Sequence, residues 1–455
     1  MLSVTHSEFN PRMSTPQPTP LRLAYYGDDF TGSTDALEFL TRAGIKTVLF
    51  LDPPTPEKLR LYPDLQAVGV AGLTRSLPPD AMEKELRPTF TALRALGTPH
   101  VHYKVCSTFD SSPKTGSIGR AIDVGASVFD APFVPLLVGA PALGRHCVFG
   151  NLFARMGIGS SGEIHRLDRH PSMSKHPVTP ADESDLRLHL AKQTTKSIAL
   201  FDILKLVLPA TAARSELDKL LTAKPDIVLF DLLSTEQLAL IGELLDLHAT
   251  TERPLFSVGS SGIEMALGAH WTKQRKLSPV ITWPQPLSTS PLLILSGSCS
   301  PVTASQIAFA SSTGFGAVSL NGAALARGEN VESYVRLITS HLRAGRHVIA
   351  YTSQGPAKSP LSQEGSRVLG TTLGLIAQAA VAQGKVRRVM FAGGDTSSYA
   401  ARALGIESVE MIAPLAPGAP LCRAHASDPL VEGLSVNFKG GQVGTEDYFA
   451  SVAFA

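Results

Sequence analysis

The stretch Arg387–Gly405, RRVMFAGGDTSSYAARALG, decides how this chain is read. Val389, Met390, Phe391 and Ala392 make an apolar run of the length of a short buried strand. Gly393 and Gly394 break it, Asp395 and Thr396 carry side chains suited to helix capping, and Ser397 to Leu404 reads as a helix. A strand that turns on glycine into a helix N-terminus can receive an anion. Free backbone N–H groups point outward there, the helix dipole favours negative charge, and missing Cβ atoms let phosphate oxygens approach. A single turn of this kind is equally an ordinary packing device, so its meaning depends on the residues around it.

The pattern recurs nearby. Leu292 to Leu295 reads as a strand opening into Ser296-Gly297-Ser298-Cys299-Ser300-Pro301, with a helix over Val302 to Ala310 and Pro301 at its first position. Phe438-Lys439-Gly440-Gly441-Gln442-Val443-Gly444 is a glycine loop with one lysine ahead of a short helix. Separate turns must converge to cradle a polyphosphate, so several in one domain point to a nucleotide. It is not held in the P-loop manner: no GxxxxGK[ST] exists, and Gly384-Lys385 is followed by Val386. Protein-kinase HRD and DFG motifs and the hydrolase GxSxG elbow are absent too. Gly157 to Gly162 satisfies GxGxxG by letters, but a helical-looking run precedes it and a charged stretch with no helix pattern follows, so we treat it as chance.

The front half offers different chemistry. Leu21 to Tyr26 reads as a strand ending in Gly27-Asp28-Asp29, before a helix from about Thr31 to Ala43. Open α/β sheets bind ligands at the carboxyl ends of their strands, where these two acids fall. One of them can cap the helix, which leaves the second free. His100 to Val105 reads as another strand and leads into Cys106-Ser107-Thr108-Phe109-Asp110-Ser111-Ser112-Pro113. Hydroxyls around one acid, with Lys104 beside them, suit a polyhydroxy carboxylate whose every oxygen needs a partner. Cys106 reads as a packed residue, since no histidine is paired with it in sequence. Residues 141–190 form a long irregular segment rich in His, Arg and Lys, suited to a lid over an anion, a solvated excursion or an oligomer contact.

Composition sets the frame. A chain of 455 residues is too long for one core and suits two domains. With 44% hydrophobic and 18% charged residues it is neither a coiled coil nor a disordered chain. A net charge of +2 with dispersed Lys and Arg gives no nucleic-acid footprint. The cysteines (Cys106, Cys147, Cys299, Cys422) lie far apart, which argues against disulfides and structural zinc and for a cytoplasmic setting. No apolar run reaches the roughly 18–20 residues of a membrane helix. The expected organisation is a loose tail over 1–20, a first domain over 21–278, a proline-rich linker over 279–291 and a second domain over 292–455. The expected class is α/β, each domain a mainly parallel sheet flanked by helices.

Six stretches in order carry a resemblance. They are Tyr26–Asp35 (YGDDFTGSTD), Lys104–Pro113 (KVCSTFDSSP), His176–Leu190 (HPVTPADESDLRLHL), Ser296–Gln306 (SGSCSPVTASQ), Gly393–Gly405 (GGDTSSYAARALG) and Phe438–Gly444 (FKGGQVG). Together the chain resembles the four-carbon acid sugar kinase family, which phosphorylates tetronates and related acid sugars with ATP. The resemblance implies a sugar-acid domain followed by an ATP domain, with the active site in the cleft between them. It places ATP contacts on Ser296, Ser298, Gly393, Gly394, Asp395, Thr396 and Gly441, with Lys439 alongside, and Mg²⁺ beside the phosphates through ligands left unassigned. It places substrate contacts on Asp28, Asp29, Lys104, Ser107, Thr108, Asp110 and Ser111. Asp29 or Asp395 would orient the acceptor hydroxyl or the metal, and Lys104 would pair with the substrate carboxylate. Many members carry a lysine–threonine–aspartate–serine run ending in arginine and glycine where this chain has KVCSTFDSSP (Lys104–Pro113), a variant that resembles the subgroup that includes 3-oxo-isoapionate kinases. A homodimer is left open. The competing readings are a nucleotide-dependent enzyme of another class and a non-catalytic sugar-acid sensor.

Overall fold

Short apolar runs alternate with amphipathic helices through most of this chain, and that alternation builds parallel sheet covered on both faces. The computed structural model describes residues 20–158, 161–176, 178–284, 290–329, 331–355, 363–384 and 386–454. The anticipated tail up to residue 19 and residues 285–289 of the anticipated linker lie outside these.

The strands of the first half are β1 (Leu23–Gly27), β2 (Thr47–Phe50), β3 (Ala67–Ala71), β4 (His100–Lys104), β5 (Val134–Leu137), β6 (Arg145–Val148), β7 (Asn151–Arg155), β8 (Ile164–Arg166), β9 (Ile198–Phe201), β10 (Ile227–Phe230) and β11 (Leu255–Gly259). Those of the second half are β12 (Leu292–Ser296), β13 (Gly316–Ser319), β14 (Val348–Tyr351), β15 (Arg388–Ala392), β16 (Ser408–Ala416), β17 (Ala419–His425) and β18 (Ser435–Lys439). In the first half, β2-β3-β1-β4-β11-β5-β10-β9 run parallel. In the second, β13-β14-β12-β15-β18 are parallel and β17 and β16 continue antiparallel. Every residue of β1, β3, β4, β11, β12 and β15 is buried, as two-sided helical cover requires. Burying Val389, Met390 and Phe391 of β15 contributes roughly 1.5–3 kcal/mol each.

The two sheets are one. β16 pairs antiparallel with β2, Ser408 opposite Phe50 and Val409 opposite Leu49, and so fuses them edge to edge into fifteen strands. The sequence reading assigned no element to Ser408–His425, a stretch that carries Pro414, Pro417 and Pro420, residues that disfavour strands. The structure accommodates them with register shifts between Met411 and Ala413 and between Ala413 and Ala416, and with a turn at Gly418 (φ 81°). The capping expected of Asp395 and Thr396 is also corrected. The helix Gly394–Leu404 begins at Gly394, and Gly393, at φ 129°, is its N-cap with no side-chain cap. Gly393 adopts that backbone because its N–H donates to the Lys439 carbonyl of β18 at 2.9 Å. The irregular segment at 141–190 contains β6, β7 and β8, a small antiparallel sheet of its own.

Candidate active site

The carboxyl ends of β1, β3 and β4 bring four charged groups together, Asp28, Asp29, Arg75 and Lys104. Asp29 caps the helix Phe30–Arg42, its Oδ1 accepting from the Gly32 N–H at 2.7 Å. Its Oδ2 accepts from Thr31 Oγ1 at 2.8 Å and from Arg75 Nη1 at 2.7 Å. Arg75 also closes a fork on Asp28, through Nη2 at 2.7 Å and Nε at 3.1 Å. The second acid is therefore not free, contrary to the expectation from sequence. Arg75 escaped the sequence reading, although it follows β3 at the same sheet edge that singled out the two aspartates. Burial pushes the Asp28 carboxyl up despite that arginine, and the two carboxylates hold Arg75 well above its ordinary value against burial.

Lys104, at the end of β4, is 1% exposed and pairs with Asp35 Oδ2 at 3.1 Å. Asp35 Oδ2 also accepts from Ser261 Oγ at 2.8 Å. Burial alone would pull the lysine down, but Asp35 and Asp28 outweigh it and raise its pKa. In the following loop Thr108 Oγ1 donates to Asp110 Oδ1 at 2.9 Å and lies 2.9 Å from Cys106 Sγ. Burial pushes the Cys106 thiol up to about 11, which leaves little thiolate and fits a packed residue.

Three turns meet at the neighbouring ends of β12, β15 and β18. Ser298 Oγ donates to Thr303 Oγ1 at 3.1 Å, and Thr303 Oγ1 lies 3.1 Å from the Gly441 carbonyl. Beneath them Lys439 Nζ donates to Thr303 Oγ1 at 3.0 Å and to the Gly440 carbonyl at 2.9 Å. No carboxylate pairs with Lys439 among the described residues, and burial pulls it down to about 7. A Cβ on Gly441 would stand 3.0 Å from Ser300 Cβ and 3.2 Å from Ser298 Oγ. One on Gly297 would strike Thr396 Oγ1. The turns fit together only because these residues lack side chains.

Residues from both sets line one cleft of about 350 Å³. From the first half come Asp29, Asp35, Arg75, Lys104, Ser107, Thr108 and Asp110, and from the second Gly394, Gly418 and Gly440 to Val443. The two halves touch directly: the Phe30 N–H donates to Ser398 Oγ at 3.2 Å, and Ile158 forms a bridge with Val443.

Residues 23–267 match the family model of a sugar-binding N-terminal domain, and 293–449 that of a nucleotide-binding C-terminal domain. The chain belongs to the four-carbon acid sugar kinase family. A 3-oxo-isoapionate kinase of Paraburkholderia graminis is 41% identical, over 96% of this chain and 95% of that protein. A 3-oxo-tetronate kinase of Methylobacterium radiotolerans is 30% identical, over 94% of this chain and 98% of that protein. A solved structure from Salmonella typhimurium LT2 superposes with a TM-score of 0.74 at 26% identity, covering 95% of this chain and 98% of that one. One from Haemophilus influenzae gives 0.68 at 22% identity over 94% and 98%, a likeness of fold.

For an acid sugar kinase of this family, the sequence-derived contacts divide into those facing the cleft and those behind it. Asp29, Lys104, Ser107, Thr108, Asp110, Gly394 and Gly441 face it. Asp28 lies behind Arg75, and Ser111 Oγ turns away to His189 Nε2 and Gln193 Nε2, each at 3.0 Å. Ser296, Ser298, Gly393, Thr396 and Lys439 form the layer under the glycine turns. Asp395 sits in the first turn of its helix, and its side chain lies outside the described residues. The titratable cleft residues that the sequence reading gave no contact include Arg75, Arg145, Arg155 and His170, with Asp35 and His176 present there only within motifs. Apart from Asp35 and Arg75 they come from residues 141–190, whose basic and imidazole density was the available signal.

Proposed function

We propose that this chain is an ATP-dependent kinase that phosphorylates a hydroxyl of a small acid sugar of the 3-oxo-tetronate or branched 3-oxo-isoapionate type. The observation carrying this reading is the shared cleft, with a hydroxyl- and charge-rich wall from the first half and bare glycine turns from the second. The relatives named for those two activities span nearly the whole chain and support the same reading.

ATP, when bound, supplies the phosphoryl group for in-line transfer to the acceptor hydroxyl. The residues present fit it: Gly394, Gly440 and Gly441 put backbone rather than side chain at the cleft surface. The N-terminus of the Gly394–Leu404 helix would offer first-turn N–H groups to a phosphate, and Lys439 would add a positive charge beneath the third turn when protonated. Among the described residues no group of three or more His, Cys, Asp or Glu is placed to hold a metal. That suits Mg²⁺ carried mainly by phosphate and water with one protein carboxylate, from Asp29 or Asp395. Asp29 already accepts three hydrogen bonds of the roughly four a carboxylate can take. Its remaining lone pair can orient a hydroxyl or the ion, while Arg75 and the helix cap fix its direction. Ser107 and Thr108 supply partners for substrate hydroxyls.

A coupled assay of ADP release with ATP and Mg²⁺, over four-carbon and branched five-carbon acid sugars, tests the reading. Turnover of at least one acid is expected. Acid-sugar affinity without turnover would indicate a sensor instead, and hydride transfer with NAD or NADP another enzyme class.

A further inference from the structure

The cations that line the cleft are not equivalent. Arg75 is committed to Asp28 and Asp29, and Lys104 to Asp35. Arg145, at the start of β6, has no carboxylate within 4.0 Å among the described residues although it is only 5% exposed. Its Nη1 donates to the Leu143 carbonyl at 2.8 Å and the Arg155 carbonyl at 3.2 Å, and its Nε has no partner. A buried guanidinium without a counterion is costly, and burial pulls its pKa down.

Beside it is His170, 4% exposed. Its Nδ1 accepts from the backbone N–H groups of Ser172 and Met173, each at 3.3 Å. Backbone N–H groups only donate, so a neutral ring carries its proton on Nε2. Burial keeps the ring neutral by lowering its pKa. That Nε2–H is buried, and although the Arg155 backbone acts on the ring as a hydrogen-bond partner, no acceptor meets it in full hydrogen-bond geometry. His176 repeats the arrangement, its Nδ1 accepting from the Thr179 N–H at 3.1 Å. The small β6-β7-β8 sheet and the turns after it thus bring to the cleft two arginines with no carboxylate partner among the described residues, the buried Arg145 and the half-buried Arg155, together with the imidazoles of His170 and His176, and no acid of their own among the lining residues.

We infer that Arg145 and His170 form the carboxylate-recognition end of the sugar-acid pocket, with the ligand's carboxylate as the missing counterion of Arg145. The inference rests on the acid sugar kinase reading and assigns to Arg145 the role that sequence gave to Lys104. Arg145 belongs to the substrate wall by position, lining the cleft with Asp35, Ser107, Thr108 and Asp110 of the first half. The alternative anion is the transferred phosphate, because Ile158 of the same segment bridges to Val443 of a nucleotide loop.

Two variants and one analogue separate these anions. Arg145→Gln removes the charge. His170→Asn keeps an acceptor for the Ser172 and Met173 N–H groups but removes the cleft donor. Calorimetric affinities are measured for ATP, for a 3-oxo four-carbon acid sugar that the wild type turns over, and for its carboxamide. Each variant is expected to bind the acid about 10- to 100-fold more weakly, the loss of a hydrogen bond to a charged group, and ATP within about twofold of wild type. The wild type should disfavour the carboxamide by a similar factor, and Arg145→Gln should scarcely distinguish the two compounds. Lost ATP affinity with retained acid affinity, or equal losses for acid and carboxamide, would overturn the assignment. A wild type that turns over none of the acids removes the kinase reading and this inference with it. Unchanged acid affinity in both variants, with an active wild type, removes this inference alone.

Discussion

The backbone N–H of Gly418, at the tip of the β16–β17 hairpin, donates to Glu38 Oε2 on the Phe30–Arg42 helix at 2.8 Å. The contact joins the two halves of the chain beside the cleft. Glu38 is 1% exposed, and burial raises its carboxyl to about 7 even with the Gly418 N–H and Arg42 opposing. The native state therefore binds more protons than the unfolded chain between the ordinary carboxyl range and neutrality. Stability contributed by the protonated group is present at low pH and falls as pH rises toward about 7. Glu38→Gln keeps an acceptor for Gly418 without the charge. Thermal unfolding at pH 8 should show the variant more stable than wild type, with the gap closing by pH 5. A gap that widens toward acid would contradict the burial of this carboxylate.

The fork from Arg75 to Asp28 predicts that a half-removed pair is worse than none. Arg75→Met leaves two carboxylates, Asp28 at 2% and Asp29 at 3% exposure, without their cation. Breaking a buried ion pair from one side typically costs about 3–5 kcal/mol. Denaturant titration should show a loss of that size for Arg75→Met and partial recovery in Arg75→Met with Asp28→Asn. If the double variant is no better than the single one, the pairing does not carry the cost.

Lys439 supplies a proton-linked test of nucleotide binding. Burial without a carboxylate partner pulls it to about 7, so it is largely neutral at pH 8.5. A triphosphate above the Gly440–Gly441 turn would draw it back toward its ordinary range, and binding would then take up a proton. Calorimetry of ATP binding at pH 8.5, in buffers of different ionisation heat, should show net uptake. Lys439→Met should abolish it and weaken ATP binding. Equal proton uptake in the variant would place the nucleotide elsewhere.

What could be read from sequence follows from the range of each signal. Parallel strands such as Leu23–Gly27 and Arg388–Ala392 announce themselves as short apolar runs, because both faces are covered by helices. The cleft followed from the same logic, since strand ends mark where ligands bind. The β16–β17 hairpin did not, because its prolines read as loop while its bulges and its pairing with β2 make it strand. The particular roles of Arg75 and Arg145 went unread for another reason. What distinguishes them is which carboxylate each one meets, or fails to meet, across tens of residues, and no local spacing encodes that.

Gly394 brings the second half up against Asp29. A Cβ built there would stand 3.3 Å from Asp29 Oδ2 and 3.8 Å from Thr31 Oγ1. Ala adds one atom at that distance and can be absorbed by a shift of a few tenths of an ångström. Val adds two further carbons, branched toward a carboxylate whose position is fixed by Arg75 and the helix cap. Misplacement of about 1 Å in a positioned group can cost on the order of 10²-fold in rate. Gly394→Val should therefore lower kcat by about that factor while its thermal unfolding stays near wild type, and Gly394→Ala should fall between. Asp395→Ala, whose residue follows Gly394 in the same helical turn, should lower kcat by orders of magnitude with the fold retained. If folded Asp395→Ala turns over near the wild-type rate while Asp29→Asn is inactive, the hydroxyl-orienting role falls to Asp29. The reverse result assigns it to Asp395.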